Sequence, residues 1–127
     1  MKILKKTIAL FLVVVLAASA FCLEAFAASR YKSGSFSGYY WEATLNVGTF
    51  SSKTSIAVNA PAGKTSVRVY GGVWYYDAKG LLHSIGNSST GTRAASVLVG
   101  DGHRVANGRG GAYINNTEVV SFGYVEP

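Results

Sequence analysis

From Phe36 to the C-terminus, apolar and polar residues alternate with a period of two, and no helical spacing of apolar residues is sustained after residue 27. Alternate residues of a strand point to opposite faces, so this pattern calls for strands that bury one face each. In Phe36–Val47, Tyr39, Trp41, Ala43, Leu45 and Val47 share one face, while Tyr40, Glu42, Thr44 and Asn46 share the other. Thr54–Asn59 repeats the pattern with Ile56 and Val58. Thr65–Tyr76 extends it furthest: Val67, Val69, Val73 and Tyr75 alternate with Arg68, Tyr70, Trp74 and Tyr76. Gly71-Gly72 in its middle suggests a bulge, or a place where another group approaches the backbone. Turn signals separate these runs at Pro61-Ala62-Gly63, Asp77–Gly80, Gly100–Gly102 and Asn107–Gly111, and Gly86–Gly91 has the composition of a polar loop. Seven or eight short strands at such spacing predict an all-β fold, a single small antiparallel β-sandwich or small barrel.

Residues 1–27 are of another kind. Met1–Lys6 carries three lysines, Thr7–Phe21 is almost wholly apolar, and Ala25-Phe26-Ala27 places small residues at the −3 and −1 positions before Ala28. That order is the signature of a secretory signal peptide, a helical leader cleaved after Ala27. The competing expectations are an uncleaved anchor and lipid attachment at Cys22; bulky Phe21 speaks against the second. The expected organisation is a signal peptide over 1–27, a flexible N-terminal arm over 28–37 and the β-sandwich domain over 38–127. The product is expected to be secreted, or associated with the cell surface, with no stable membrane anchor after cleavage.

Cleavage would remove Cys22, the only cysteine, and with it any disulfide, thiolate metal site or cysteine nucleophile. It leaves nine cations against five acids, a net charge of +4 with no block of like charge. Nucleic acid is therefore not an expected partner. Gly63-Lys64-Thr65 ends like a phosphate-binding loop, but Val58 stands where the first glycine belongs and a strand follows. His83 or His103 with Asp77 or Asp101 offers a dyad or a pair of metal ligands. Two histidines twenty positions apart specify neither geometry, and zinc wants three or four protein ligands. The acids Glu42, Asp77, Asp101, Glu118 and Glu126 are scattered, and so small a domain offers little cleft for paired carboxylates. No catalytic residue, metal site or cofactor is expected.

The stripe opposite the valines is the most informative feature. Arg68, Tyr70, Trp74 and Tyr76 would form an aromatic platform beside a cation, with Tyr40 extending it from its own strand. Aromatic faces stack on sugar rings, and arginine pairs with phosphate or carboxylate. A bulge at Gly71-Gly72 would invert the register and bury Trp74. Arg104 and Arg109, around the Asn107–Gly111 turn, are a second candidate for holding an anion. The function expected is a non-enzymatic binding module for cell-wall glycans, anionic envelope polymers or an unidentified protein. The alternatives are a released antagonistic protein acting on the envelope of other bacteria and, more remotely, a small hydrolase dependent on His83 or His103.

The leader, the lack of cysteine in the remainder and the patch His83-Ser84 with Asn87-Ser88-Ser89-Thr90-Gly91-Thr92-Arg93 resemble small secreted β-sandwich proteins of Gram-positive bacteria. Among these are the β-sandwich bacteriocins of the lactococcin type. The resemblance implies a secreted sandwich and, for the bacteriocins, action on another cell's envelope. It assigns no functional residue.

Overall fold

The alternating runs stack into two four-stranded antiparallel sheets. The computed structural model describes residues 26–127, so the expected leader lies outside the described residues except for its last two positions. The strands are β1 (Phe26–Phe36), β2 (Tyr39–Gly48), β3 (Ser52–Val58), β4 (Val67–Tyr76), β5 (Leu82–Gly91), β6 (Ala94–Val99), β7 (Val105–Ile114) and β8 (Thr117–Val125). One sheet has the order β1-β2-β3-β6 and the other β5-β4-β7-β8; they are called the β1 sheet and the β4 sheet below. Consecutive β3 and β4 lie in different sheets, as do β6 and β7, while β3 pairs with β6 and β4 with β7. With β5 and β6 also in different sheets, the chain crosses three times between the layers and ties them together.

Local chemistry sets the hairpins. Ser37-Gly38 (φ 50° and 82°) and Asn115-Asn116 (φ 48° and 65°) place both central residues of a two-residue turn at positive φ, the hand that matches strand twist. Asp77 Oδ1 accepts hydrogen bonds from the backbone N–H groups of Lys79 (2.8 Å) and Leu81 (2.9 Å), closing the β4–β5 turn. Between the layers, Trp41, Ala43, Leu45 and Val47 meet Val69, Val73, Ala112, Ile114 and Phe122 in one core. The inward residues expected from Phe36–Val47, Thr54–Asn59 and Thr65–Tyr76 are buried there, except Tyr39 and Tyr75, which pack half-buried against its edge.

Four local expectations are corrected. Residues 28–37 are not a flexible arm: Ala28 to Phe36 pairs with β2 in unbroken register from Ala28↔Val47 to Phe36↔Tyr39, and Ser37 belongs to the turn. This edge strand shows no apolar alternation because Arg30 and Lys32 stand opposite Leu45 and Ala43, on the core side at the margin of the sandwich. The Lys32 ammonium lies 5.9 Å from the centre of the Phe122 ring. Gly86–Gly91 is not a loop but the second half of β5, another edge strand that is mostly exposed on both faces. Asn107–Gly111 is not a turn; it is the middle of β7, a central strand.

The glycines of β7 follow from close approach. A Cβ at Gly108 would strike Val47, and one at Gly110 would overlap Thr54 of the facing sheet. The fourth correction concerns the bulge expected at Gly71-Gly72, where β4 keeps its register with both neighbours; the alternative expectation, close approach of another group, is what the structure shows. The irregularity lies instead between Trp74 and Tyr75, opposite β7, where Ala106 is the additional residue. Gly71 faces inward beneath Thr54 and Val97, and Gly72 faces outward beneath Arg109.

Candidate functional site

Because β4 keeps its register, Arg68, Tyr70, Trp74 and Tyr76 all point away from the core. They meet a second row from β7: Arg68 stands opposite Tyr113, Tyr70 opposite Gly111, Gly72 opposite Arg109 and Trp74 opposite Asn107. Two of these pairs have a reciprocal geometry. Tyr70 lies over Gly111, where a Cβ would collide with the phenol oxygen. Arg109 lies over Gly72, where a Cβ would sit 3.1 Å from the guanidinium Nε. In each pair the missing side chain on one strand lets the long side chain on the other lie flat on the sheet.

β8 supplies the far wall. The Tyr70 hydroxyl lies 3.3 Å from both Glu118 Oε2 and Ser121 Oγ. Tyr70, Arg109, Ser121, Phe122, Gly123 and Tyr124 enclose a surface pocket of about 180 Å³. On one side, the Tyr70 and Tyr113 rings are tilted at 53° with centres 5.9 Å apart, and the Arg68 guanidinium covers Tyr113 at 4.5 Å. The Glu118 carboxylate raises the Tyr113 phenol above its ordinary value, first by hydrogen bonding and then by its charge. Toward the β4–β5 turn, Trp74 is half-buried and Tyr76 exposed. The Trp74 indole N–H and the Asn107 Oδ1 opposite are both buried without a hydrogen-bond partner among the described residues, a rare condition in a native fold. Arg109 is exposed and pairs with no carboxylate among the described residues.

The other candidates fall elsewhere. Tyr40 does not extend the stripe: β2 belongs to the β1 sheet, whose outer face points the opposite way. There the Tyr31 and Tyr40 hydroxyls donate to buried Glu42 Oε1 at 2.7 and 2.8 Å. Partial burial, then the hydrogen bonds to Tyr40 and Glu42, raise the Tyr31 phenol. Arg104 and Arg109 do not form a pair either. Arg104 precedes β7 while Arg109 sits in its middle, five positions and roughly 15 Å farther along an extended chain.

His83 and His103 come together at the end of the sandwich nearest the Asp77–Gly80 turn. His83 Nε2 lies 2.7 Å from Asp77 Oδ2, and His103 Nδ1 2.8 Å from Asp101 Oδ1. Both imidazoles stack on Tyr75, with ring centres 5.4 and 4.4 Å away. These hydrogen bonds hold the Asp77 and Asp101 carboxyls below the ordinary range. Among the described residues, no three His, Cys, Asp or Glu side chains are grouped to hold a metal ion.

Tyr113, Glu118, Ser121 and Tyr124 belong to the site but carry no signal of their own in the sequence. Only the strand order β4-β7-β8 brings them to Tyr70. Comparison with known protein families, with curated proteins and with solved structures finds no match to this chain.

Proposed function

We propose that this chain is a secreted, non-enzymatic binding module that recognises envelope glycans or anionic wall polymers on the outer face of the β4 sheet. The observation that carries the reading is the pocket in which Tyr70 and Arg109 meet. An exposed guanidinium without a carboxylate partner supplies the anion contact, bidentate to a carboxylate or phosphate. The Tyr70 and Tyr124 rings line the same pocket and offer faces for a sugar ring. Cleavage after Ala27 would take the first two residues of β1 and its offset rung at Phe26, and would keep the regular pairing from Ala28 onward.

The test uses residues 28–127, which contain every strand from that first regular rung onward. The domain is titrated with purified cell-wall glycan and with teichoic-acid-type polymer while Trp emission is followed. Saturable binding that shifts the emission is expected. Arg109→Ala should weaken it about 10- to 100-fold, the worth of one charge-assisted contact. Trp74→Ala should weaken it by up to about tenfold with the melting transition retained. Absence of binding to both polymers would sink the reading and leave the released antagonist, assayed by growth inhibition, as the working one.

A further inference from the structure

We propose that β5 is a pairing edge for a second copy of this chain, joining two β4 sheets into one continuous eight-stranded sheet. Every exposed sheet edge is a template for another strand unless it is blocked, and the four edges of this sandwich differ in that respect. β1 carries Arg30 and Lys32 on its core-facing side, charges that an added strand would have to bury. β8 is broken by two register shifts, at Gly108/Gly110 and at Ala112/Tyr113, and bulges twist an edge away from a straight partner. β6 has six residues, too few for a long ladder. β5 has none of these devices. It pairs with β4 without a shift over ten rungs, from Val67↔Gly91 to Tyr76↔Leu82, and contains no proline and no Asp, Glu, Lys or Arg.

The same strand is suited to meeting itself. Antiparallel pairing about a two-fold axis sets a segment against its own reverse, so any fixed charge near the axis would face its like. Around Gly86 the side chains are Ser84, Ile85, Asn87 and Ser88, all uncharged. The free part of the edge runs from Leu82 to about Thr90 and is centred on Gly86, since at Gly91 the strand abuts the Ala94 carbonyl where the chain turns into β6. At the open end, Tyr76, Leu81 and Leu82 are 57, 59 and 50% exposed. This apolar surface gives a second copy area to cover beyond backbone pairing. The inference does not rest on the binding reading, although the dimer would set two pockets on one surface.

Sedimentation of residues 28–127 over micromolar to submillimolar concentrations tests it. The expected result is a monomer–dimer equilibrium whose dissociation constant rises about tenfold or more in Ser84→Lys/Ser88→Lys, which sets ammonium groups face to face across the axis. The matching Ser33→Lys/Ser35→Lys pair on β1 should leave it unchanged. A strictly monomeric wild-type chain overturns the proposal, as does a β5 variant that dimerises like the wild type or a dimer abolished by the β1 pair. Should the β5 variant fail to fold, hydrogen exchange of the wild type decides instead. Protection that rises with concentration in residues 82–90 supports the proposal, and its appearance elsewhere overturns it.

Discussion

Three side chains of this protein lie on a glycine directly across the ladder: Trp41 on Gly34, Tyr70 on Gly111 and Arg109 on Gly72. The first is a core device and the other two build the candidate site, so substitutions separate them. At Gly34, a Cβ would fall 2.8 Å from the Trp41 ring, which is buried between the layers. Gly34→Ala should cost about 1–3 kcal/mol through overpacking, lowering the melting temperature by about 4–8 °C per kcal/mol. At Gly72 the nearest atoms are Arg109 Nε and the Ile85 carbonyl oxygen, both at 3.1 Å. A shift of a few tenths of an ångström relieves that contact. The gain from replacing an interior strand glycine, about 0.5–1 kcal/mol, offsets it. Gly72→Ala should therefore melt close to the wild type and yet bind polymer more weakly, because Arg109 is lifted from its seat. An equal loss of stability in the two variants would show that the outer seat is merely structural.

Strands that bury one face were legible in the sequence, because burial writes itself as alternation: Ala43, Leu45 and Val47 in β2, Val67, Val69 and Val73 in β4. β1 and the second half of β5 were not, since an edge strand with little buried surface has no need of a pattern; its order comes from a neighbour's backbone. β7 was hidden for a different reason, its glycines being demanded by Val47, Thr54 and Tyr70 on other strands. The element scale offers a direct check on β1. Removing residues 28–37 would strip β2 of the nine rungs from Ala28↔Val47 to Phe36↔Tyr39 and uncover Trp41 beside Gly34. The chain beginning at Gly38 should lose its cooperative thermal transition, whereas a disordered arm would be dispensable. The two loops at the end of the sandwich answer to acid. Asp77 and Asp101 are held below the ordinary carboxylate value of 3.8 chiefly by hydrogen bonds to His83 and His103. Lowered native-state values make their contribution complete above the unfolded-chain value and remove it as pH falls through the native one. Melting temperature should accordingly fall on acidification below about pH 4, and less steeply in His83→Asn/His103→Asn, whose carboxyls lack those partners.

At the scale of the whole molecule, the residue types of the site were legible and their meeting was not. Arg68, Tyr70, Trp74 and Tyr76 follow from the period of β4 alone. That Arg109 joins Tyr70 while Tyr40 and Arg104 do not depends on β7 pairing with β4 in one sheet and β2 lying in the other. Such pairing links residues far apart in sequence, which pattern within a strand cannot report. The same connectivity governs when the molecule can exist at all. The β1–β2, β2–β3, β4–β5 and β7–β8 contacts are between neighbours in sequence, but β3 must wait for β6 and β4 for β7. A chain emerging from its N-terminus can lay β6 on β4 and β5, but β4 lacks its second ladder partner, and β8 its only one, until Ile114 is free. Non-local pairing of this kind is slow to form. If the chain is exported as proposed, threaded from its N-terminus, the last quarter of the sequence would act as a timer, holding off the complete fold until almost all of it has crossed.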